Sequence, residues 1–542
     1  MIDPLADLRA AVSDAGADLR DDGALTATRL DRPPRADLGD YSSNLAMLLA
    51  PVLGEPPRAV AERLGALLRE RLGAALERVE VAGPGFLNVF LAESWWRGSL
   101  AAMAAAGDAF GAGGAERPER ILLEFVSSNP TGPLTVGHAR HSAYGDTLAR
   151  ILAFHGHAVE REYYINDQGG QIERFAESIG ARGRGEEPPP DGYQGEYVIG
   201  LANEIEGAGR LERGALARRG VELMLESIRA TLDRARVSFD SFFSERTLHE
   251  SGALDRALGL LEERGALYRH DGATWLRTTA YGDDKDRVLI RSNGEATYFA
   301  ADIAYHEDKR ERGFERLIDL WGSDHHGYVA RMQAAFQALG ADPERLELLI
   351  MQFVNLVERG QRVQMSTRRG EFLTFDDLLD DIGVDATRFF LVQRSHETSL
   401  DLDLALAREQ SQDNPVYYVQ YAHARIASIL RTAGEERLEA ALVADLGHSR
   451  GRLHPSELAL LKRLLELPAE VSIAAERRAP HRIAAFAHEV AQDFSAFYRD
   501  CRVVGAAEDG GDEAFRIALC MQAGRVIATA LDLLGVSAPG QM

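Results

Sequence analysis

Apolar residues change their spacing twice along this chain of 542 residues, and the changes divide it into three parts. In the first part PRAVAERLGALLRERLG (57–73) repeats apolar positions as one face of a helix does, whereas VEVAGPGFLNVFL (79–91) sets two short runs of strand-formers around a Gly-Pro-Gly turn. The segment AAAGDAFGAGGAERPER (104–120) breaks both patterns and reads as a linker. From Ile121 onward the runs ILLEFV (121–126), RLIDLWG (316–322) and LLIMQFVNLV (348–357) alternate with helical spacing, which predicts a parallel sheet covered by helices. ARGRGEEPPPDGYQGEY (181–197) interrupts that alternation as an inserted surface loop. Beyond Asn414 the strand signals stop, and PVYYVQYAHARIASILRTA (415–433), SELALLKRLLELPAEVSIAA (456–475) and RIALCMQAGRVIATALDLLG (516–535) predict helices only. The expected organisation is an α/β unit at 1–106, a parallel-sheet unit with insertions at 118–400 and an all-helical unit at 401–542.

Composition narrows the class. A hydrophobic share of 45% and a mean hydropathy of −0.21 fit a soluble globular protein able to bury several cores. The sequence carries no run of about 18 uncharged apolar residues. The acidic start MIDPLADLRA lacks the basic region of a secretory signal, so a cytoplasmic protein with no membrane partner is expected. Cys501 and Cys520 form no CxxC pair, which argues against a structural zinc. A formal charge of −23 argues against loose adhesion to nucleic acid, yet leaves room for a folded basic groove. Of 61 basic residues only Lys285, Lys309 and Lys462 are lysines, so arginine does nearly all the cationic work.

Two segments carry candidate chemistry. In VSSNPTGPLTVGHARH (126–141) an apolar run passes through a Gly-containing turn into a helix, and such a turn offers free N–H groups and a helix dipole to a phosphate. Gly137 lets a nucleotide approach the backbone, and His138 is a donor to phosphate oxygens as charge builds. On these residues alone, His138 serves equally well as a helix cap. In QMSTRRG (364–370), Arg368 and Arg369 are placed to neutralise a leaving pyrophosphate and Ser366 to add a donor; a solvated basic turn is the other reading.

Taken together, TVGH and QMSTRRG resemble the HIGH and KMSKS signatures of class I aminoacyl-tRNA synthetases. EFVSSNPTGPLTVGHARH, REYYINDQGGQIERF, FDSFFSERTL, TYFAADIAYHEDK, WGSDHHGYVARM, GVDATRFF and DNPVYYVQYAHARI, with GDYSSNLAM, AGPGFLNVFL, FYRDCRVVG and LGVSAPGQM at the two ends, resemble bacterial arginyl-tRNA synthetases in the family's order. The resemblance implies a Rossmann-like catalytic domain between an amino-terminal domain that meets the tRNA elbow and a helical anticodon-binding domain. It implies activation of L-arginine by ATP with magnesium, no protein-held metal, and transfer to the terminal ribose of tRNA-Arg by a monomer that does not act on DNA.

Carried over residue by residue, it implies that Glu245, Tyr298 and Asp302 hold the guanidinium. Ser127 and Asn129 would face the α-amino end, and Asp324 and His325 would line the amino acid and adenosine sites. Thr135, Gly137, His138, Met365, Ser366, Arg368 and Arg369 would serve ATP and catalysis. Phe86 and Asn88 would meet the elbow, and Tyr421, Tyr498 and Met542 would lie near the anticodon, with Arg425 and Arg502 on phosphates. The chain departs from the pattern at Thr135, which replaces the first histidine of HIGH, and at Gln364 and Thr367, which replace the two lysines of KMSKS. Gly132 stands where some members carry a lysine. Arg368 and Arg369 are expected to compensate, although arginine offers a planar fork rather than a compact point charge.

Overall fold

The computed structural model describes residues 2–20, 22–24, 28–362, 373–444 and 452–542. At its centre five strands run parallel: β1 (Arg120–Glu124), β2 (Ala158–Ile165), β3 (Ser241–Ser244), β4 (Arg316–Gly322) and β5 (Leu346–Met351). Their spatial order is β5-β4-β1-β2-β3, so the winding reverses between β1 and β4. A parallel sheet with covered faces needs apolar residues pointing both ways. β1 shows why ILLEFV reads as a continuous run: Ile121 and Leu123 enter one core, and Leu122 enters a second core with Ile303, Met332 and Leu346.

Helices α1 (Val136–His155), α2 (Gly170–Gly183), α3 (Glu196–Glu204), α4 (Arg213–Arg234), α5 (Glu245–Glu250), α6 (Tyr298–Glu311) and α7 (Phe375–Val392) surround or extend this sheet. α1 is buried along most of its length and ends at Gly156, whose left-handed conformation (φ 117°) caps it. A small antiparallel sheet, Leu267–His270, Ala273–Leu276 and Arg287–Ile290, lies between α5 and α6 in sequence.

In the amino-terminal part the expected strand pair forms, Leu76–Ala82 against Phe86–Leu91, with Tyr41–Ser43 on the other edge. Three helices close its core around Val12, Leu49, Leu64, Val79 and Leu87. The segment read as a linker is instead a fastened strap. The helix Glu93–Ala106 runs into it, Phe110 is buried, Gly113 N–H donates to Phe154 O at 2.9 Å and Ala115 N–H to His155 O at 2.8 Å.

The run LLIMQFVNLV, read as one strand, is two. β5 stops at Met351, because the buried guanidinium of Arg140 takes the carbonyl of Gln352 at 2.7 Å, and Val354–Glu358 opens a separate sheet. There it pairs in parallel with Leu400–Asp403, a strand that runs across the expected 400/401 boundary. The sequence pattern also gave no warning of β2, whose REYYI carries charges. Glu162 is nonetheless buried, since Arg312, Tyr305 and Ser241 all donate to its carboxylate at 2.6–2.8 Å.

The carboxyl-terminal part is helical as expected, with α8 (Pro415–Ala433), α9 (His481–Asp500) and α10 (Glu513–Leu533) as its longest members. SELALLKRLLELPAEVSIAA forms two helices, Pro455–Leu464 and Leu467–Glu476, and Pro468 sits in the first turn of the second. α10 is long and apolar enough to cross a membrane, and it is the buried centre of this bundle, with Leu519, Cys520, Ala523, Ile527 and Leu531 enclosed.

Candidate active site

The carboxyl ends of the parallel strands carry the site, as the winding reversal leads one to expect. Past β1, Val126 (φ 68°) and Ser127 (φ 41°) both occupy the left-handed region, which costs about 1–3 kcal/mol each for such residues. Ser127 Oγ offsets part of that cost: it donates to Glu124 Oε1 at 2.9 Å and accepts Tyr164 N–H from β2 at 3.1 Å. The chain then passes Ser128, hydrogen-bonded to Tyr163 OH at 2.8 Å, and the exposed Asn129, whose amide donates to Gln171 Oε1 at 2.7 Å.

Thr135 is the N-cap of α1 and His138 its third residue. Thr135 N–H donates to His138 Nδ1 at 3.0 Å. Burial pushes the imidazole down to about 4, so it is neutral at pH 7. A neutral ring whose Nδ1 accepts must carry its proton on Nε2. The two sequence readings of His138 are therefore compatible: one nitrogen caps the helix, and the other is a donor beside exposed Gly137 at the helix N-terminus. One turn further on, burial first and then His138 and Arg140 push His141 down to about 3.

Gln364, Met365, Ser366, Thr367, Arg368 and Arg369 lie outside the described residues. Their downstream flank is fixed to the turn: Thr374 pairs with Thr135, and Phe375 N–H donates to Leu134 O at 2.8 Å.

Two acids, one after β3 and one on α6, lie near enough for the charge of one to act on the other. Glu245 follows β3 directly and is 6% exposed; Asn166, after β2, donates to its Oε2 at 3.0 Å with the amide nitrogen turned toward it. Asp302 lies in the second turn of α6 and accepts from Tyr328 OH at 2.5 Å. Burial, then the charge of Asp302, pushes Glu245 up to about 7, and burial pushes Asp302 upward against the pull of Tyr328. Among the described residues neither carboxylate has an ion-pair partner.

Tyr298, 65% exposed at the start of α6, holds its hydroxyl 3.5 Å from the Cβ position of Gly169, over the loop that carries Asn166. Asp324 and His325 follow β4 in an exposed turn. The His325 ring meets Trp321 edge-on at 5.8 Å and lies 6.4 Å from Tyr328.

Two turns along α6 from Asp302, fully buried Lys309 donates to Glu124 Oε2 at 2.6 Å and Asp319 Oδ1 at 2.8 Å. Burial opposes the charge on Asp319, yet Lys309 and His306 hold it down at about 2.

The profile of the class I (R) tRNA synthetase catalytic domain matches residues 106–181 and 210–405. The arginyl tRNA synthetase N terminal domain matches 6–91, and the DALR anticodon binding domain matches 419–542. An arginine--tRNA ligase of Shouchella clausii is 44% identical over 97% of this chain and 96% of its own length. The chain belongs to the arginyl-tRNA synthetase family.

A second relative in that family, an arginine--tRNA ligase of Geobacillus kaustophilus, is 46% identical over 93% of this chain and 92% of its own. Among solved structures, the arginyl-tRNA synthetase of Thermus thermophilus has a TM-score of 0.79 at 27% identity, covering 99% of this chain and all of that one. A protein of Campylobacter jejuni described as a putative arginyl tRNA synthetase reaches 0.77 at 36% identity, covering 83% of this chain and all of its own. The protein is thus a class I aminoacyl-tRNA synthetase.

The residues expected to face RNA in the two terminal parts differ in access. Phe86 is 41% exposed, whereas Asn88 is 5% exposed and accepts from Ser42 Oγ at 2.8 Å, so it presents no free edge. Tyr421, stacked on Tyr417 at 6.4 Å, Tyr498 and Met542 are exposed, and Arg425 lies 4.7 Å over the Tyr498 ring. Arg502 is exposed beside Glu508.

Tyr328, Asn166 and His141 escaped the residue-level reading. Tyr328 and Asn166 matter through partners on other elements, a relation that spacing along one segment does not carry. His141 alone gave a signal, as the second histidine of TVGHARH.

Proposed function

We propose that this crevice joins L-arginine to AMP and passes the arginyl group to tRNA-Arg. An oxygen of the arginine carboxylate attacks the α-phosphorus of ATP, the bond to the bridging oxygen breaks, and pyrophosphate leaves. The 2′- or 3′-hydroxyl of the terminal ribose then attacks the arginyl carbonyl and AMP leaves. In this reading Glu245 and Asp302 grip the guanidinium by forked, charge-assisted hydrogen bonds. Tyr298 covers it, Asn129 and Ser127 face the α-amino end, and Asp324 and His325 line the border with the adenosine.

The N-terminus of α1 at Gly137 receives phosphate, and His138 Nε2–H donates to oxygens that gain charge in the transition state. Thr135 holds that ring. Met365, Ser366, Arg368 and Arg369 serve the nucleotide and the leaving pyrophosphate. Magnesium arrives on the phosphates and neutralises charge there. Residues 1–106 meet the elbow through Phe86, with Asn88 supporting Ser42 beneath it; 118–400 perform the chemistry; 401–542 meet the anticodon region through Tyr421, Tyr498 and Met542. The protein works as a monomer in the cytoplasm.

One observation carries arginine as the substrate: buried Glu245 and half-buried Asp302 converge with no cation between them among the described residues, both held above their ordinary pKa. A guanidinium supplies the missing charge. Pyrophosphate exchange measured with each of the twenty amino acids, with and without tRNA, tests the reading. Exchange with arginine alone is expected; exchange with lysine or a neutral amino acid at the same rate contradicts it.

A further inference from the structure

The catalytic-domain profile passes over 182–209, a segment whose first half falls within 181–197, expected from the sequence to be a surface loop. Its second half is α3, and the first turn of α3 reaches the nucleotide turn. Tyr197 OH donates to the backbone carbonyl of Thr131 at 2.8 Å. Its ring end covers Gly132 so closely that a Cβ there would lie 3.3 Å from the hydroxyl and 3.5 Å from Cζ. α3 is not adrift: Val198, Leu201 and Ala202 pack with Phe175 and Ile179 of α2 and with Leu216 and Met224 of α4. The loop before it is tied by Tyr193 N–H donating to Ser178 Oγ at 2.9 Å. α2 holds the same turn from a second point, where Gln171 accepts from Asn129. The backbone between these two anchors leads straight into Thr135 and the cap that orients His138.

We infer that Tyr197 is a positioning residue for adenylation: through Thr131 and Gly132 the inserted segment fixes the turn that seats His138 against the α-phosphate. This rests on the reading of that turn as the nucleotide site. Carbonyl oxygens at a bend have several hydration partners available, and a phenol held by a packed helix selects one geometry. Misplacement of reacting groups by a fraction of an ångström is costly in rate and nearly silent in the binding of a substrate held elsewhere.

Tyr197→Phe removes only the hydroxyl, and Gly132→Ala pushes a methyl group toward it. Each is expected to lower kcat for arginine-dependent pyrophosphate exchange about tenfold. Arginine KM should stay within about twofold, because Asn129 keeps its separate bond to Gln171, and the melting temperature should not change, a split that a merely structural role does not produce. Because both act through one contact, the double variant should be no worse than the poorer single variant. Hydrogen exchange of the amides at 131–138 should quicken in Tyr197→Phe while α3 stays protected. Unchanged turnover in Tyr197→Phe, losses that multiply in the double variant, or unaltered hydrogen exchange each overturn the inference. Absence of arginine-dependent exchange in the unaltered enzyme with tRNA present would instead overturn the reading beneath it, and hydrogen exchange would still report whether Tyr197 holds the turn.

Discussion

His138 does two jobs with one ring, and the cap decides how the second is done. With Nδ1 engaged by Thr135 N–H, Nε2 is a neutral donor at every pH above about 4. His138→Ala removes that donor where charge develops, so kcat for adenylation should fall about 10²- to 10³-fold with arginine KM little changed. A variant with wild-type exchange kinetics would deny the ring its role. Thr135, where the family pattern has a histidine, loses reach toward phosphate and still serves as a good N-cap. Lys309 shows why a lysine persists in so arginine-rich a chain. Its compact ammonium fits between Glu124 and Asp319 with no exposed surface, a place a planar guanidinium does not fill.

At the scale of elements, the site depends on α1 lying close on β1. Gly145 makes this approach possible: a Cβ there would fall 2.3 Å from Phe125. Gly145→Ala should therefore move the helix or the phenyl ring and destabilise the protein by about 1–3 kcal/mol, read as a lower melting temperature. An unchanged transition would show that the packing yields without cost. The elements that sequence revealed are those with one clear period. β1, β4 and α1 carry their burial in their own residues and could be read directly. β2 could not, because its burial rests on a charge, Glu162, matched by Arg312 far along the chain. The split of LLIMQFVNLV was hidden for the same reason, since the interruption comes from Arg140 on α1. Of the pocket, Glu245, Tyr298 and Asp302 came from family likeness. Spacing alone offered only that Tyr298 and Asp302 share a helix face, and their unequal exposure shows how loosely that constrains function.

At the scale of the whole molecule the three parts are interlocked. Arg388 of α7 donates to Asp146 of α1 at 2.6 Å and to Leu534 O beyond α10 at 2.9 Å. Arg97 and Asp40 of the amino-terminal part pair with Asp512 and Lys462 of the helical part. Stability should therefore respond as a unit to what happens in the pocket. Glu245, raised from an ordinary carboxyl pKa to about 7, contributes stability below about 4.5 that is lost as pH rises through 7. His138 works in the other direction: with its pKa lowered to about 4, its contribution is present above 6.5 and is lost as pH falls toward 4. Bound arginine favours the ionised Glu245 and must displace a proton at low pH. Saturating arginine should accordingly raise the melting temperature more at pH 8 than at pH 6; an equal or reversed shift would mean that Glu245 does not face the ligand.

The most direct test of the account is a calorimetric titration of the protein with arginine and with citrulline, which matches arginine in length and shape but carries a neutral urea. If two uncompensated carboxylates define the pocket, arginine binds and citrulline is weaker by at least about 100-fold, the scale of a lost charged hydrogen-bond pair. Equal affinities would contradict the claim that charge at Glu245 and Asp302 selects the substrate.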